Sequence, residues 1–258
     1  MPGKNPPFLL LARCGFAARG FMYLLVAWLA LRLGRTEDPG GALAYLGSGG
    51  GRAVLAAMAL GFAGYAAWRL VDAALATEGR DGLGHRLAAA GSGAVHLGFA
   101  VTAARLALGG GGSGGGAAEQ GAKTAMTFPG GSAMLLAAAA ALAAAALFQF
   151  VVAARRRFLR HMAAEAARRW WIVALGTAGY ATRGLLFAVA AWLMVGAATH
   201  HRPGEAGGLG DSLEALPAGV GAAVAAGLAM FGLFSLVEAW YRVMRDPHLK
   251  GRLKSAAA

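Results

Sequence analysis

Apolar residues run in six long blocks, at 8–33, 53–76, 87–108, 133–154, 171–198 and 218–241, parted by shorter stretches where charge, glycine and proline collect. Each block reaches the roughly 20 residues an α-helix needs to cross the hydrocarbon core of a bilayer. The pattern predicts six transmembrane helices and an all-α membrane protein. The block at 133–154 is the weakest of the six, because its run at 137–146 is almost pure alanine, which is close to neutral on insertion scales. A buried place inside the bundle would suit it.

Composition agrees with the pattern: 58% of residues are hydrophobic and 14% charged, whereas about a quarter are charged in soluble domains. The formal net charge is +12, which in a soluble chain would raise the question of nucleic acid. Its placement answers that question. Fourteen of the 24 Lys and Arg fall on the side of the N-terminus: Lys4, Arg80, Arg86, Arg155, Arg156, Arg157, Arg160, Arg168, Arg169, Arg242, Arg245, Lys250, Arg252 and Lys254. The opposite side holds only Arg32, Arg35, Arg52, Arg105, Lys123 and Arg202. The positive-inside rule therefore places both termini in the cytoplasm. Arg155, Arg156, Arg157, Arg160, Arg168 and Arg169 then meet anionic lipid headgroups, at about 1 kcal/mol each, and no folded basic module for nucleic acid is present. Cys14 stands alone, so neither an intramolecular disulfide nor a Cys/His zinc set can be built. With no small-residue cleavage site after a short apolar region, the first span reads as an uncleaved helix. A bacterial inner membrane fits.

Laying the spans over one another shows three tandem helix pairs, at about 8–76, 83–154 and 171–242, within a single membrane domain covering 1–258. A shift of 164 carries Gly15, Arg19, Gly20 and Trp28 onto Gly179, Arg183, Gly184 and Trp192. A shift of 166 carries Ala57, Gly61 and Asp72 onto Ala223, Gly227 and Glu238. The middle pair is degenerate. Shifted by 76 it keeps Gly91 and the aromatic Phe99, puts Val95 and His96 where Arg-Gly is expected, and carries Gln149 but no acid in its second helix. Because every repeat holds two spans, the three face the same way and imply a pseudo-threefold bundle. A basic loop at 155–170, a glycine-rich outer loop at 109–130 read as flexible linker, and a basic tail at 243–258 complete the organisation.

Gly15-Phe16-Ala17-Ala18-Arg19-Gly20, Arg157-Phe158-Leu159, Gly179-Tyr180-Ala181-Thr182-Arg183-Gly184 and Phe231-Gly232-Leu233-Phe234-Ser235 leading to Glu238 and Arg242 together resemble a bacterial membrane family catalogued as domain of unknown function 1206. The resemblance covers nearly the whole chain. It implies three copies of a two-helix unit and no established activity; Thr182 stands where the family more often has alanine.

Charge inside a span costs about 2.5–3.5 kcal/mol at mid-membrane, so Arg19, Asp72, Arg183 and Glu238 need partners. Two equivalent pairs are expected, Arg19 with Asp72 and Arg183 with Glu238, within a hairpin or to the next repeat. Arg69, three before Asp72, and Arg242, four after Glu238, offer same-helix pairing instead. The pairs of small residues, Ala57 with Gly61 and Ala223 with Gly227, are expected at close helix contacts. His85 and His96 share a face of the third span but lack a facing histidine, and His200-His201 lacks a coordination set. The glycine tract at 109–116 follows no strand and precedes no Gly-Lys-Ser/Thr. All eight prolines fall outside or at the edge of spans. The sequence therefore predicts no enzyme, cofactor or metal. It points to a membrane scaffold or accessory subunit, with a membrane-protein partner or homo-oligomer, and to a small-molecule or ion transporter as the alternative.

Overall fold

A computed structural model describes residues 6–34, 36–75, 82–110 and 116–243. The expectations resting on Lys4, Arg35, Arg80, the tract at 111–115 and the tail at 244–258 lie outside the described residues. Six long helices coincide with the six apolar blocks: α1 (Pro6–Leu33), α3 (Arg52–Leu75), α4 (Leu83–Ala107), α6 (Gly131–Ala154), α8 (Trp170–Thr199) and α10 (Ala218–Tyr241). Four short helices join them, α2 (Pro39–Ser48), α5 (Ala117–Met126), α7 (Ala164–Ala167) and α9 (Leu209–Glu214), with 3₁₀ turns at Arg157–His161 and Pro203–Glu205. Alanine and leucine, which lose least on entering a helix, dominate the long ones, and in lipid a spanning helix is the way to satisfy every backbone group within one segment.

The glycine-rich loop at 109–130, expected as a linker, is not linker throughout. Its second half folds as α5, where Ala, Glu, Gln, Lys and Met supply helix propensity, and a left-handed Gly130 (φ +82°) turns the chain into α6. Each repeat in fact carries one short helix between its two spans: α2, α5 and α9. Across the first and third repeats this layer is tied by Asp38, whose Oδ1 accepts the Gly210 N–H at 2.8 Å. The basic loop is folded too. Phe158 fills the space left by Gly176 and stacks on Tyr180 at 5.5 Å. The Ala163 N–H donates to the Tyr241 carbonyl, fixing the loop to the end of α10.

The second helix of each repeat packs most extensively on the first helix of the next: α3 on α4, α6 on α8 and, joining the two ends of the chain, α10 on α1. Contacts within the outer repeats, α1 with α3 and α8 with α10, are smaller, and α4 and α6 share no comparable contact. The six helices thus form a pseudo-threefold ring that is open between the two helices of the middle repeat. The alanine-rich α6 is consequently not sheltered, contrary to its expected burial: Met134, Leu136, Leu147 and Phe148 are all exposed. Leucine and phenylalanine on that outward side make it compatible with lipid despite the alanines.

Glycine sets the spacing. A methyl at Gly20 would meet Leu236 at 2.8 Å, one at Gly93 would meet Leu70 at 2.9 Å, and one at Gly184 would meet Phe150 at 3.0 Å. These are the three inter-repeat seams, and they put Gly93 where Gly20 and Gly184 stand. The register of the middle copy is therefore a shift of 73 in its first helix, and not 76. Ser92-Gly93, in place of Val95-His96, occupies the Arg-Gly position, and His96 falls at the level of Tyr23 and Phe187. Inside the outer repeats, Gly15 faces the Tyr65 backbone and Gly179 the Phe231 backbone, while Gly61 faces Ala18 and Gly227 faces Thr182. Thr182 thus replaces alanine opposite a glycine. Ala57 and Ala223 do not join these contacts and are exposed; on α3 the close stripe continues from Gly61 to Gly64, toward the basic loop.

A methyl at Gly179 would stand 2.6 Å from the Phe231 Cα, an overlap of backbone that no rotamer relieves. Gly179→Ala is expected to cost about 1–3 kcal/mol, and Gly15→Ala the same. Gly91→Ala, with nothing within 4 Å, should be neutral or stabilising. Thermal unfolding in one detergent checks this, and equal midpoints for the three variants would refute the close helix contacts within the outer repeats.

Candidate functional site

Two residues beyond each seam side chain, Leu236, Leu70 and Phe150, stand Glu238, Asp72 and Val152. One residue before each seam glycine stand Arg19, Ser92 and Arg183. The three seams of one fold therefore carry an acid and a base, an acid alone, and a base alone. All three positions lie near the end of the bundle that carries the basic loop.

The complete seam joins α1 to α10. Arg19 is 7% exposed and Glu238 fully buried; the Arg19 Nη2 donates to Glu238 Oε2 at 2.5 Å, Nε to Ser235 Oγ at 3.2 Å and Nη1 to the Tyr65 hydroxyl at 3.3 Å. Each edge of the guanidinium has an acceptor, as a buried charge requires. Arg242 donates to the other oxygen of Glu238 at 2.7 Å and lies over the Phe16 and Trp68 rings. One carboxylate thus serves two cations.

The acid-only seam joins α3 to α4. Asp72 is fully buried and accepts from Arg69, one turn back on its own helix, and from the His85 Nε2 of α4, both at 3.0 Å. His96 is turned to the inside of the ring, where its Nδ1 meets the Ser92 carbonyl at 2.8 Å and its ring lies 4.3 Å from that of Tyr65.

The base-only seam joins α6 to α8. Val152 takes the place of the carboxylate, Gln149 that of Ser235, and Phe231 that of Tyr65. The Arg183 guanidinium turns to three aromatic rings, Tyr23 at 5.4 Å, Phe187 at 5.1 Å and Phe231 at 4.5 Å. Its Nε is buried without a hydrogen-bond partner among the described residues. Arg19 lies 5.2 Å from the same Phe231 ring, so the two cations stand within about 10 Å of each other. At an effective dielectric of about 20 that repulsion is about 2 kcal/mol, which cation–π attraction offsets in part.

The expected pairings, Arg19 with Asp72 and Arg183 with Glu238, are thus replaced. Arg19 takes Glu238 from the far end of the chain, the local partners Arg69 and Arg242 engage their acids, and Arg183 has no carboxylate among the described residues. Tyr65 and His85 were the polar partners missed; Tyr65 is seven residues before Asp72 and so on one helix face with it. Of the basic loop, Arg155, Arg156, Arg160, Arg168 and Arg169 are exposed, while Arg157 is half-buried with its Nε unpaired among the described residues.

At the opposite end a shallow apolar recess of about 400 Å³ lies between Trp192, Val195, Thr199 and Glu205. His200 and His201 turn apart there, to Glu205 at 2.8 Å and Ser132 at 3.1 Å. The hydrogen bond from His200, supported by Arg202, holds the Glu205 carboxyl below the usual carboxylate range. No group of three His, Cys, Asp or Glu arranged for a metal occurs among the described residues.

Removing Glu238 takes the carboxylate from both Arg19 and Arg242, whereas removing Arg19 leaves Glu238 with Arg242. Glu238→Gln is therefore expected to cost about 3–5 kcal/mol and Arg19→Gln distinctly less. Equal losses in detergent unfolding would show that the carboxylate is not shared.

No curated protein and no solved structure matches the chain significantly. The family described as Domain of Unknown Function (DUF1206) matches three times, at residues 14–76, 87–156 and 178–242. The three matches begin at positions that align Gly20, Gly93 and Gly184, the register read from the seams. With its three helix pairs each matched in turn, the chain belongs to the DUF1206 family.

Proposed function

We propose that this protein is a non-enzymatic scaffold or accessory subunit of a bacterial inner membrane, holding a partner membrane helix at the opening between α4 and α6. One observation carries the reading: the middle repeat keeps its seams to both neighbours but leaves its own two helices apart. The membrane-spanning parts of α4 and α6 are each 28% buried, against 39–56% for the other four. Helix association in lipid relies on close packing of small residues. The exposed face of α4 offers Gly91, Ala94 and Gly98, and that of α6 offers Ala137, Ala140, Ala141 and Ala144. Both termini face the cytoplasm in this reading, with Arg155, Arg156, Arg160, Arg168 and Arg169 against anionic headgroups.

Transport is the second reading, favoured by the half-buried Arg183. The burial of Arg19, Asp72 and Glu238 speaks against a polar path through the ring.

A photoreactive residue at Val95 or Leu147 is expected to give the same discrete protein adduct in native membranes, and one at Leu60 on the back of α3 to give none. Proteoliposomes of the purified chain should show ion and solute flux no greater than empty vesicles. Specific flux, or identical adduct patterns at all three positions, would remove the scaffold reading. Reporter fusions at Gly112 and Arg157 should report an external and a cytoplasmic site respectively; an external Arg157 reverses the orientation.

A further inference from the structure

We propose that Arg183 is the centre of an anion site, in which a phosphate oxygen, of a lipid headgroup or of free phosphate, supplies what Glu238 supplies to Arg19. Arg19 and Arg183 occupy equivalent places one residue before a seam glycine, and the fold gives the first of them an acceptor on every edge. At Arg183 the carboxylate gives way to Val152, the Tyr65 hydroxyl to the Phe231 ring, and Ser235 to Gln149, which makes no hydrogen bond to the Arg183 Nε. What is left is a guanidinium with its Nε buried and unpaired among the described residues, held over Tyr23, Phe187 and Phe231.

Such a group retains the forked donor geometry that matches a phosphate, and its aromatic surround orients it without neutralising it. Arg19 cannot be reached, at 7% exposure, but Arg183 is half-buried. Its seam ends two residues past Val152, where α6 finishes and the exposed Arg155 and Arg156 begin. A phosphate at that depth is therefore bordered by further positive charge. Gln149, 7% exposed, holds at this seam the position that Ser235 holds beside Arg19, and its amide is the second donor assigned to the anion. The ring is open on the neighbouring side, between α4 and α6, which gives a lipid a lateral way in.

The test uses the full chain purified in a neutral detergent. Native mass spectrometry after exposure to phosphatidylglycerol, phosphatidylcholine or inorganic phosphate, with thermal unfolding in parallel, reads the site. The wild type is expected to retain one phosphate-bearing molecule and to gain several degrees with it. Val152→Glu, which rebuilds the α1–α10 pair at the α6–α8 seam, should fold as well as the wild type and lose at least tenfold in retention. Arg183→Gln should lose it too, and Arg183→Lys should recover part. Retention of phosphatidylglycerol with no response to inorganic phosphate assigns a headgroup; a response to inorganic phosphate in detergent alone assigns the free anion. A wild type that holds neither, or a folded Val152→Glu that holds either as well as the wild type, overturns the proposal.

Discussion

One buried ion pair joins the first and last helices of the ring. Arg19 and Glu238 are 219 residues apart, and without their seam the first and last helices have no polar reason to be adjacent. A guanidinium or a carboxylate stranded in hydrocarbon is costly. Each therefore fixes the other, and Ser235 and Tyr65 complete the set around Arg19. The pair also sets depth. Glu238 stands three residues from the end of α10, so Arg19, thirteen residues into α1, is brought level with the basic end of the bundle. Because α1 and α10 meet edge on at Gly20 and Gly232, whose backbones approach within van der Waals contact, the charges pair without holding the helices apart.

The same geometry repeated twice more explains why the other two seams differ in chemistry without differing in shape. Each keeps a glycine on one helix and a bulky aliphatic or aromatic side chain on the other, which fixes the spacing. Polar residues are then free to vary. Where the base is lost, at Ser92, Asp72 draws on Arg69 from its own helix and on His85 from α4. Where the acid is lost, at Val152, no charged neighbour on α6 stands in for it, and the Arg183 guanidinium lies over the Tyr23, Phe187 and Phe231 rings instead. Loss of a base was repaired locally, whereas loss of an acid was not.

Much of this was legible in the sequence. Six spans, three pairs, their common orientation and the Arg-Gly and acid positions follow from apolar length and from self-similarity, which are local or periodic signals. Partner choice was not legible, because Arg19 has carboxylates available in both its own repeat and the third, and only the ring order of helices decides between them. The middle register failed for a related reason. With no arginine in the middle copy, Gly91 and Gly93 are both available as anchors, and matching Gly91 to Gly15 puts the register three residues off. The packing role assigned to Ala57 and Ala223 failed because a small residue is compatible with contact but does not require it, whereas glycine at Gly61 and Gly227 leaves no room for anything else.

The open side of the ring follows from the same losses. In the outer repeats a large ring from the second helix, Tyr65 or Phe231, reaches the face of the first helix at Gly15 or Gly179 and holds the pair together. The corresponding place on α6, two turns before Val152, is Ala145, and the place on α4 is Ala88 in the register of Gly93. Two alanines cannot reproduce a glycine-and-aromatic contact: the methyl on one side keeps the backbones apart and the missing ring on the other leaves nothing to fill the space. The middle pair therefore separates while its outward seams, which retain glycine and a bulky partner, hold it in the ring. An opening that follows from a missing glycine-and-aromatic contact, with both flanking seams intact, is a feature of the fold itself; the acid that Arg183 lacks is a separate difference, Val152, at a seam that stays closed.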